Sequence, residues 1–189
     1  MISNKAKYKE YIELETELYR KIGYKNFLHS FVTQCEVGKI YSYVKALRKD
    51  EYYSNTCGKS LIKKAFLLYY RKKHNLLGVK LGISIPINTF GKGLLIYHSQ
   101  GIIVHRDVRC GENCKLHGLT CIGNNGKEEG VQNTPKLGDN IDIGVGAILI
   151  GDIRVANNVS IAAGAVLCKS VYEENCIVAG VPAKFIKFK

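Results

Sequence analysis

Three histidines, His98, His105 and His117, fall within a span of twenty residues in the glycine-rich half of this 189-residue chain. Imidazole, with an ordinary pKa of about 6.5, is the side chain best suited to taking and returning a proton at neutral pH. His98 and His117 are nineteen residues apart, and His105 lies twelve before His117. If the chain winds in coils of eighteen, His117 sits one coil and one residue beyond His98, so the two side chains come close on successive coils. His105 then falls on a different corner, where a surface histidine is the better reading. His29 and His74 lie in the N-terminal part and carry no specific signal. The seven cysteines contain no Cys-x-x-Cys spacing, so a zinc site of that kind is not expected.

The elements that must position these side chains show in a beat of six. Val104, Cys110, Leu116 and Ile122 are followed, after an interruption, by Leu137, Ile143, Leu149, Val155, Ile161 and Leu167. Four residues after nearly every beat comes a second series of mostly small or branched residues: Val108, Cys114, Thr120, Ile141, Ala147, Ile153, Val159, Ala165 and Val171. A period of six fits neither the 3.6 of a helix nor the alternation of a lone strand. It marks hexapeptide rungs stacked as a parallel β-helix, each rung burying one branched side chain against its neighbours. Cys110 and Cys114 fall on apolar positions of the pattern and read as small buried hydrophobes. The polar stretch 124–136 breaks the beat; Ile122 to Leu137 is fifteen residues, read as two rungs plus three, and is expected as an extruded loop.

Residues 1–77 have a different texture and predict an α-helical region. Amphipathic helices are expected over 5–22, 25–35, 38–53 and 60–75, with Ser54–Gly58 a loop and Ser60 an N-cap. Gly78 and the glycines after it are expected to end helix, placing the boundary of the β-helix domain, 78–189, near residue 78. The net charge of +12 is concentrated here: residues 1–80 carry 17 Lys/Arg against 7 Asp/Glu. The basic helix 60–75 could lie on a membrane surface, but its apolar stripe packing on the next domain is the better expectation. No reader motif accompanies the charge, so nucleic acid is not expected as a partner. A polar start, an odd cysteine count and no long apolar run point to a cytoplasmic protein.

The repeats, the loop ending Pro135-Lys136-Leu137-Gly138 and the closing Ala179-Gly180-Val181-Pro182-Ala183-Lys184 together resemble the serine acetyltransferase branch of the left-handed β-helix acyltransferases. The similarity covers roughly 78–189 and implies a mainly β fold with an α-helical N-terminal region. It also implies a homotrimer, with acetyl-CoA as co-substrate between adjacent β-helices and no metal. The matching segment Gly93-Leu94-Leu95-Ile96-Tyr97-His98-Ser99-Gln100-Gly101 carries the family's catalytic histidine at His98. That assignment agrees with the chemistry, because moving an acetyl group from a thioester to a hydroxyl needs a base for the hydroxyl proton. For the coenzyme, the resemblance implies contacts at Ala162, Ala163, Gly164, Ala179 and Gly180, with Lys184 and Lys187 available to phosphates.

The chain departs from the serine enzymes of that branch at three positions. Ile83 stands where they carry the aspartate that pairs with the histidine. Tyr97 replaces an aspartate just before the histidine, and Thr134 replaces a histidine in the interrupting loop. Tyr97, Thr134 and His117 are the residues expected beside the acceptor. The departures weigh against recognition of serine, and the segments Leu47-Arg48-Lys49-Asp50-Glu51-Tyr52-Tyr53 and Leu81-Gly82-Ile83-Ser84-Ile85-Pro86-Ile87-Asn88 resemble the polysaccharide-modifying relatives more, so a carbohydrate hydroxyl of a surface glycan is the expected acceptor, with serine as the alternative. A metal-dependent enzyme resembling the carbonic anhydrases of this fold would need two closely spaced histidines that the chain does not supply. A non-catalytic scaffold using the basic helices is the third reading.

Overall fold

The computed structural model describes residues 1–126 and 133–189. Four helices come first: α1 (Lys5–Lys21), α2 (Phe27–Thr33), α3 (Glu36–Thr56) and α4 (Leu61–Leu81). Asn4, Asn26 and Ser60 start α1, α2 and α4, each side chain accepting the backbone N–H three residues on. α3 runs through most of the expected loop 54–58, to Thr56. α4 passes straight through Gly78, which is not a helix stop. A Cβ at Gly78 would lie 2.6 Å from the Ile83 carbonyl oxygen, so glycine there permits a close approach. The stop is Gly82, which closes α4 at φ +64 and donates its N–H to Gly78 O.

From Ile83 the chain winds through short strands that pair in three sheets. One contains Ile83–Ser84, Ile102–Val104, Cys121–Gly123, Ile148–Ile150 and Val166–Leu167 in parallel. A second contains Arg109–Cys110, Lys136–Leu137 and Arg154–Val155. The third runs Leu95–Ile96, Lys115–Leu116, Asp142–Ile143, Ser160–Ile161 and Cys176–Gly180, and closes with the antiparallel Ala183–Phe188. Every beat residue and every member of the second series is buried, and together they fill the space between the sheets. Successive coils are offset by eighteen residues at Ile103–Cys121 and Lys136–Arg154. Across the interruption the offset is 27, at Cys121–Ile148, Arg109–Lys136 and Lys115–Asp142. The insertion is therefore one rung plus nine residues, not two rungs plus three. Of the expected loop 124–136, residues 127–132 lie outside the described residues.

The helices cap the first coil, whose outward N–H groups have no strand above them. The Tyr19 and Tyr43 hydroxyls accept the N–H of Ile96 (3.0 Å) and Ile85 (3.2 Å). The carboxylates of Glu15 and Glu51 accept those of Leu94 (3.2 Å) and Asn88 (2.8 Å). Arg48, fully buried, joins both carboxylates, at 2.7 Å from Glu15 and 2.9 Å from Glu51, and donates to the carbonyls of Phe90 and Gly91. The basic helix departs from expectation. Leu61, Ile62, Leu68 and Tyr69 on α4 remain exposed instead of packing on the β-stack, because α4 turns His74, Gly78 and Leu81 inward.

Candidate active site

His98 lies just beyond the strand Leu95–Ile96, where the chain leaves the third sheet for the first. Its side chain is 69% exposed and points into solvent, not into the apolar filling. Nδ1 faces Glu36 Oε2 at 3.4 Å, from the first residue of α3. Glu36 Oε1 is held at 2.8 Å by both the backbone N–H and the hydroxyl of Ser99. Those Ser99 bonds, reinforced by His98, hold the Glu36 carboxyl below its usual range, so it is ionised at neutral pH.

His117 is the next imidazole on the same corner. The coil between them is twenty residues long, since Leu95 pairs with Lys115 and Ile96 with Leu116. His117 therefore lies opposite Tyr97, and Gly118 opposite His98. The Tyr97 and His117 rings stack at 4.4 Å with 8° between planes. His117 Nε2 meets Asp142 Oδ1 at 2.8 Å, a carboxylate from the following coil that the sequence reading did not single out.

Below these residues the corner is built from small side chains. The register Leu116–Ile143–Ile161–Val178 aligns His117 with Gly144, Ala162 and Ala179. Hydrogen bonds from Gly144 N to Ile161 O (2.8 Å) and Ala162 N to Val178 O (2.9 Å) keep the ladder continuous. A Cβ on Gly144 would come 2.5 Å from Ala163 N, so that step tolerates no side chain. From Tyr97 to Ala179 is four inter-strand steps, about 19 Å at roughly 4.8 Å each. Ala163, Gly164 and Gly180 are exposed beside this ladder, and Lys184 pairs with Ala179 at its foot. Lys187 is exposed three residues further along that strand, opposite Ile177. The expected coenzyme residues thus share one edge with His98 and His117.

One expected neighbour, Thr134, does not join them, while His105 lies on a different corner as its spacing predicts. Thr134 is buried, and its hydroxyl donates to Asp107 O at 3.1 Å, on the corner between the first and second sheets. His105 is on that corner too, its Nδ1 accepting Asp107 N at 3.2 Å. Ile83 is buried and pairs with Ile102, so no carboxylate occupies that position. Among the described residues, no group of three or more His, Cys, Asp or Glu side chains is placed to hold a metal ion. Glu36 escaped sequence reading because it lies 62 residues before His98, on a helix whose own first turn already favours an acid.

Comparison with known proteins finds relatives of one kind among those most similar. Curated relatives that it matches include serine acetyltransferases. The one from Synechococcus elongatus is 32% identical over 106 residues, covering 56% of this chain and 43% of that protein. The one from Staphylococcus aureus strain Mu50 is 35% identical over 107 residues, covering 56% and 49%. The chain thus spans less than half the length of these relatives. Among solved structures, serine acetyltransferase from Brucella abortus superposes with a TM-score of 0.73 at 22% identity, over 96% of this chain and 70% of that one. The Neisseria gonorrhoeae enzyme does so at 0.72 and 25%, over 97% and 68%. No protein-family model matches the chain. These relatives overturn the expectation of a glycan acceptor and of special closeness to polysaccharide-modifying enzymes. That expectation rested on the segments 47–53 and 81–88 and on the substitutions at 83, 97 and 134, and it read the loss of individual acceptor contacts as a change of acceptor.

Proposed function

We propose that the protein is an acetyl-CoA-dependent serine O-acetyltransferase built on a left-handed parallel β-helix, with His98 as general base. The observation that supports this most directly is an exposed imidazole, backed by an ionised carboxylate, at the head of a ladder of small residues on one edge. Donation of Nδ1–H to Glu36 Oε2 leaves the Nε2 lone pair facing outward. Nε2 takes the proton of the serine hydroxyl as its oxygen bonds to the acyl carbon. The carbon–sulfur bond breaks, and His98 returns the proton to the departing sulfur, yielding O-acetylserine and free thiol. Ala162, Ala163, Gly164, Ala179 and Gly180 let the extended arm of the coenzyme lie against backbone. Lys184 and Lys187 meet its phosphates, and Tyr97 and His117 form the floor beneath the acceptor.

The same reading includes a trimer. Ile103, Leu119 and Val145 are large apolar side chains left exposed on and beside the His98 corner, the surface that a neighbouring β-helix would cover. A cytoplasmic location is part of the proposal: the seven cysteines are free, and no helix among the described residues is long and apolar enough to cross a membrane.

The deciding experiment follows thiol release from acetyl-CoA with L-serine, D-serine and a set of neutral hydroxyl compounds. L-Serine alone is expected to support turnover, at about 1 s⁻¹ or faster; absence of thiol release with L-serine refutes the proposal. The role of Glu36 has its own test. Glu36→Gln is expected to lower kcat by about tenfold to a hundredfold, leaving both KM values within about twofold, because it changes the base's orientation and not ligand contacts.

A further inference from the structure

α4 packs on α3 and on the strand Ile83–Ser84, burying His74, Gly78 and Leu81, and turns its opposite face to solvent. That face is apolar: Leu61, Ile62, Leu68, Tyr69, Leu76 and Val79 are each between 57% and 86% exposed. At 3.6 residues per turn they fall within an arc of about 120°, in a stripe about 30 Å long. An amphipathic helix at a protein surface ordinarily buries such a stripe; here it faces outward. We propose that this face docks the protein on an anionic phospholipid bilayer, its stripe at the acyl boundary and its flanking cations among the phosphates. No residue assigned to the His98 site takes part.

Charge selects the occupant. α4 holds six Lys or Arg residues and no Asp or Glu. By the same helical spacing, Lys64 and Arg71 border one side of the stripe and Lys73 the other. Lys72 stands inside it, where the apolar stem can lie with the leucines and only the ammonium must reach the phosphates. Among the described residues Lys64, Lys72 and Lys73 have no ion pair, and Arg71 meets Asp50 at 3.4 Å. The other carboxylates of α3 are engaged elsewhere, Glu36 with Ser99 and His98, Glu51 with Arg48 and the Asn88 N–H. The cations beside the stripe are thus left for an anion from outside.

A second copy of the same face would set cations against cations. A nucleic acid would meet the cations and leave the leucines in water. A lipid surface answers both, since an interfacial helix buries its apolar side about 5–10 Å into the headgroup boundary and pairs its basic side chains with anionic lipids. α2 enlarges the apolar area. Its Phe27 and Phe31 are exposed, line a shallow hollow together with Leu77 of α4, and belong to a helix without an acid. α4 is not long and apolar enough to cross a bilayer, so it would lie along one.

The test sediments the full chain with vesicles of phosphatidylcholine carrying about 30% phosphatidylglycerol, and with phosphatidylcholine alone, at about 0.1 M salt. Partitioning into the anionic vesicles is expected to be at least about tenfold stronger. The variant Lys64→Gln/Lys72→Gln/Lys73→Gln is expected to weaken it by about thirtyfold to a hundredfold. Leu61→Gln/Leu68→Gln/Leu76→Gln is expected to weaken it by about tenfold or more. All six positions are exposed and glutamine is a good helix former, so the melting temperature stays within about 2 °C. Failure of the unmodified protein to bind anionic vesicles overturns the proposal. So does full binding by the leucine variant, which is adsorption by charge alone. Sedimentation velocity without lipid covers another occupant: if the leucine variant loses an oligomer that the unmodified protein forms, and vesicles do not bind, the face is a contact between copies. Polyglutamate bound in place of vesicles, followed by fluorescence anisotropy, assigns the face to an acidic protein and likewise overturns the bilayer.

Discussion

His98→Asn lowers kcat for acetyl transfer by about a hundredfold to ten-thousandfold, the range for loss of a positioned general base. The side chain is mostly exposed and makes no core contact, so the melting temperature stays within about 1 °C and the affinity for acetyl-CoA is retained. The loss is specific because no second imidazole is free to substitute. His117 lies one coil on, but its Nε2 is engaged with Asp142 and its ring face is covered by Tyr97. Steady-state kinetics on His98→Asn and His117→Asn, side by side, check the assignment. A larger fall in kcat for His117→Asn would transfer the role of base to that residue.

Arg48→Met destabilises the fold by about 3–5 kcal/mol, the cost of removing one partner from a buried ionic cluster. For a chain of this size that corresponds to a fall in melting temperature of about 10 °C. Arg48 is held charged, despite its burial, by Glu15 and Glu51 on either side. Its removal leaves two carboxylates buried with only neutral donors. Burial already pushes the Glu15 carboxyl above its ordinary value, against the pull of Arg48. Without that pull its folded-state pKa rises further above the unfolded value. A raised carboxyl favours the folded state below its unfolded pKa and loses that advantage as pH rises. The deficit of Arg48→Met is therefore smaller near pH 5 than near pH 8. Thermal denaturation of both proteins across that range measures it; a deficit independent of pH would mean the buried carboxylates find other compensation.

The Arg48 cluster also shows why a regular pattern and its anchoring differ in legibility. The β-stack was readable because each rung buries residues at a fixed local spacing, and a glance along the chain at every sixth position samples the core. The start of α4 was readable because the N-cap at Ser60 acts over three residues. The capping of the first coil by Tyr19, Tyr43, Glu15 and Glu51 had no such local signature. Each of those side chains looks like an ordinary helix residue until a strand N–H some 37 to 79 residues away is brought to it. Gly78 misled for the same reason: helix propensity argued for a stop, and a close backbone approach decided otherwise.

The candidate site divides along the same line. From the sequence alone came the rung spacing and the helical N-terminal region, which depend on neighbours in the chain or on a constant repeat length. The choice of His98 and of the small residues for the coenzyme came from the resemblance to a family. Tertiary structure alone decided that the coil after His98 has twenty residues, so that His117 faces Tyr97, and that Thr134 is buried on another corner. It also supplied the carboxylates, Glu36 from a helix 62 residues away and Asp142 from the coil beyond the insertion. A hydrogen bond needs its partners within about 3 Å, and only the folded chain sets distances between segments so far apart in sequence.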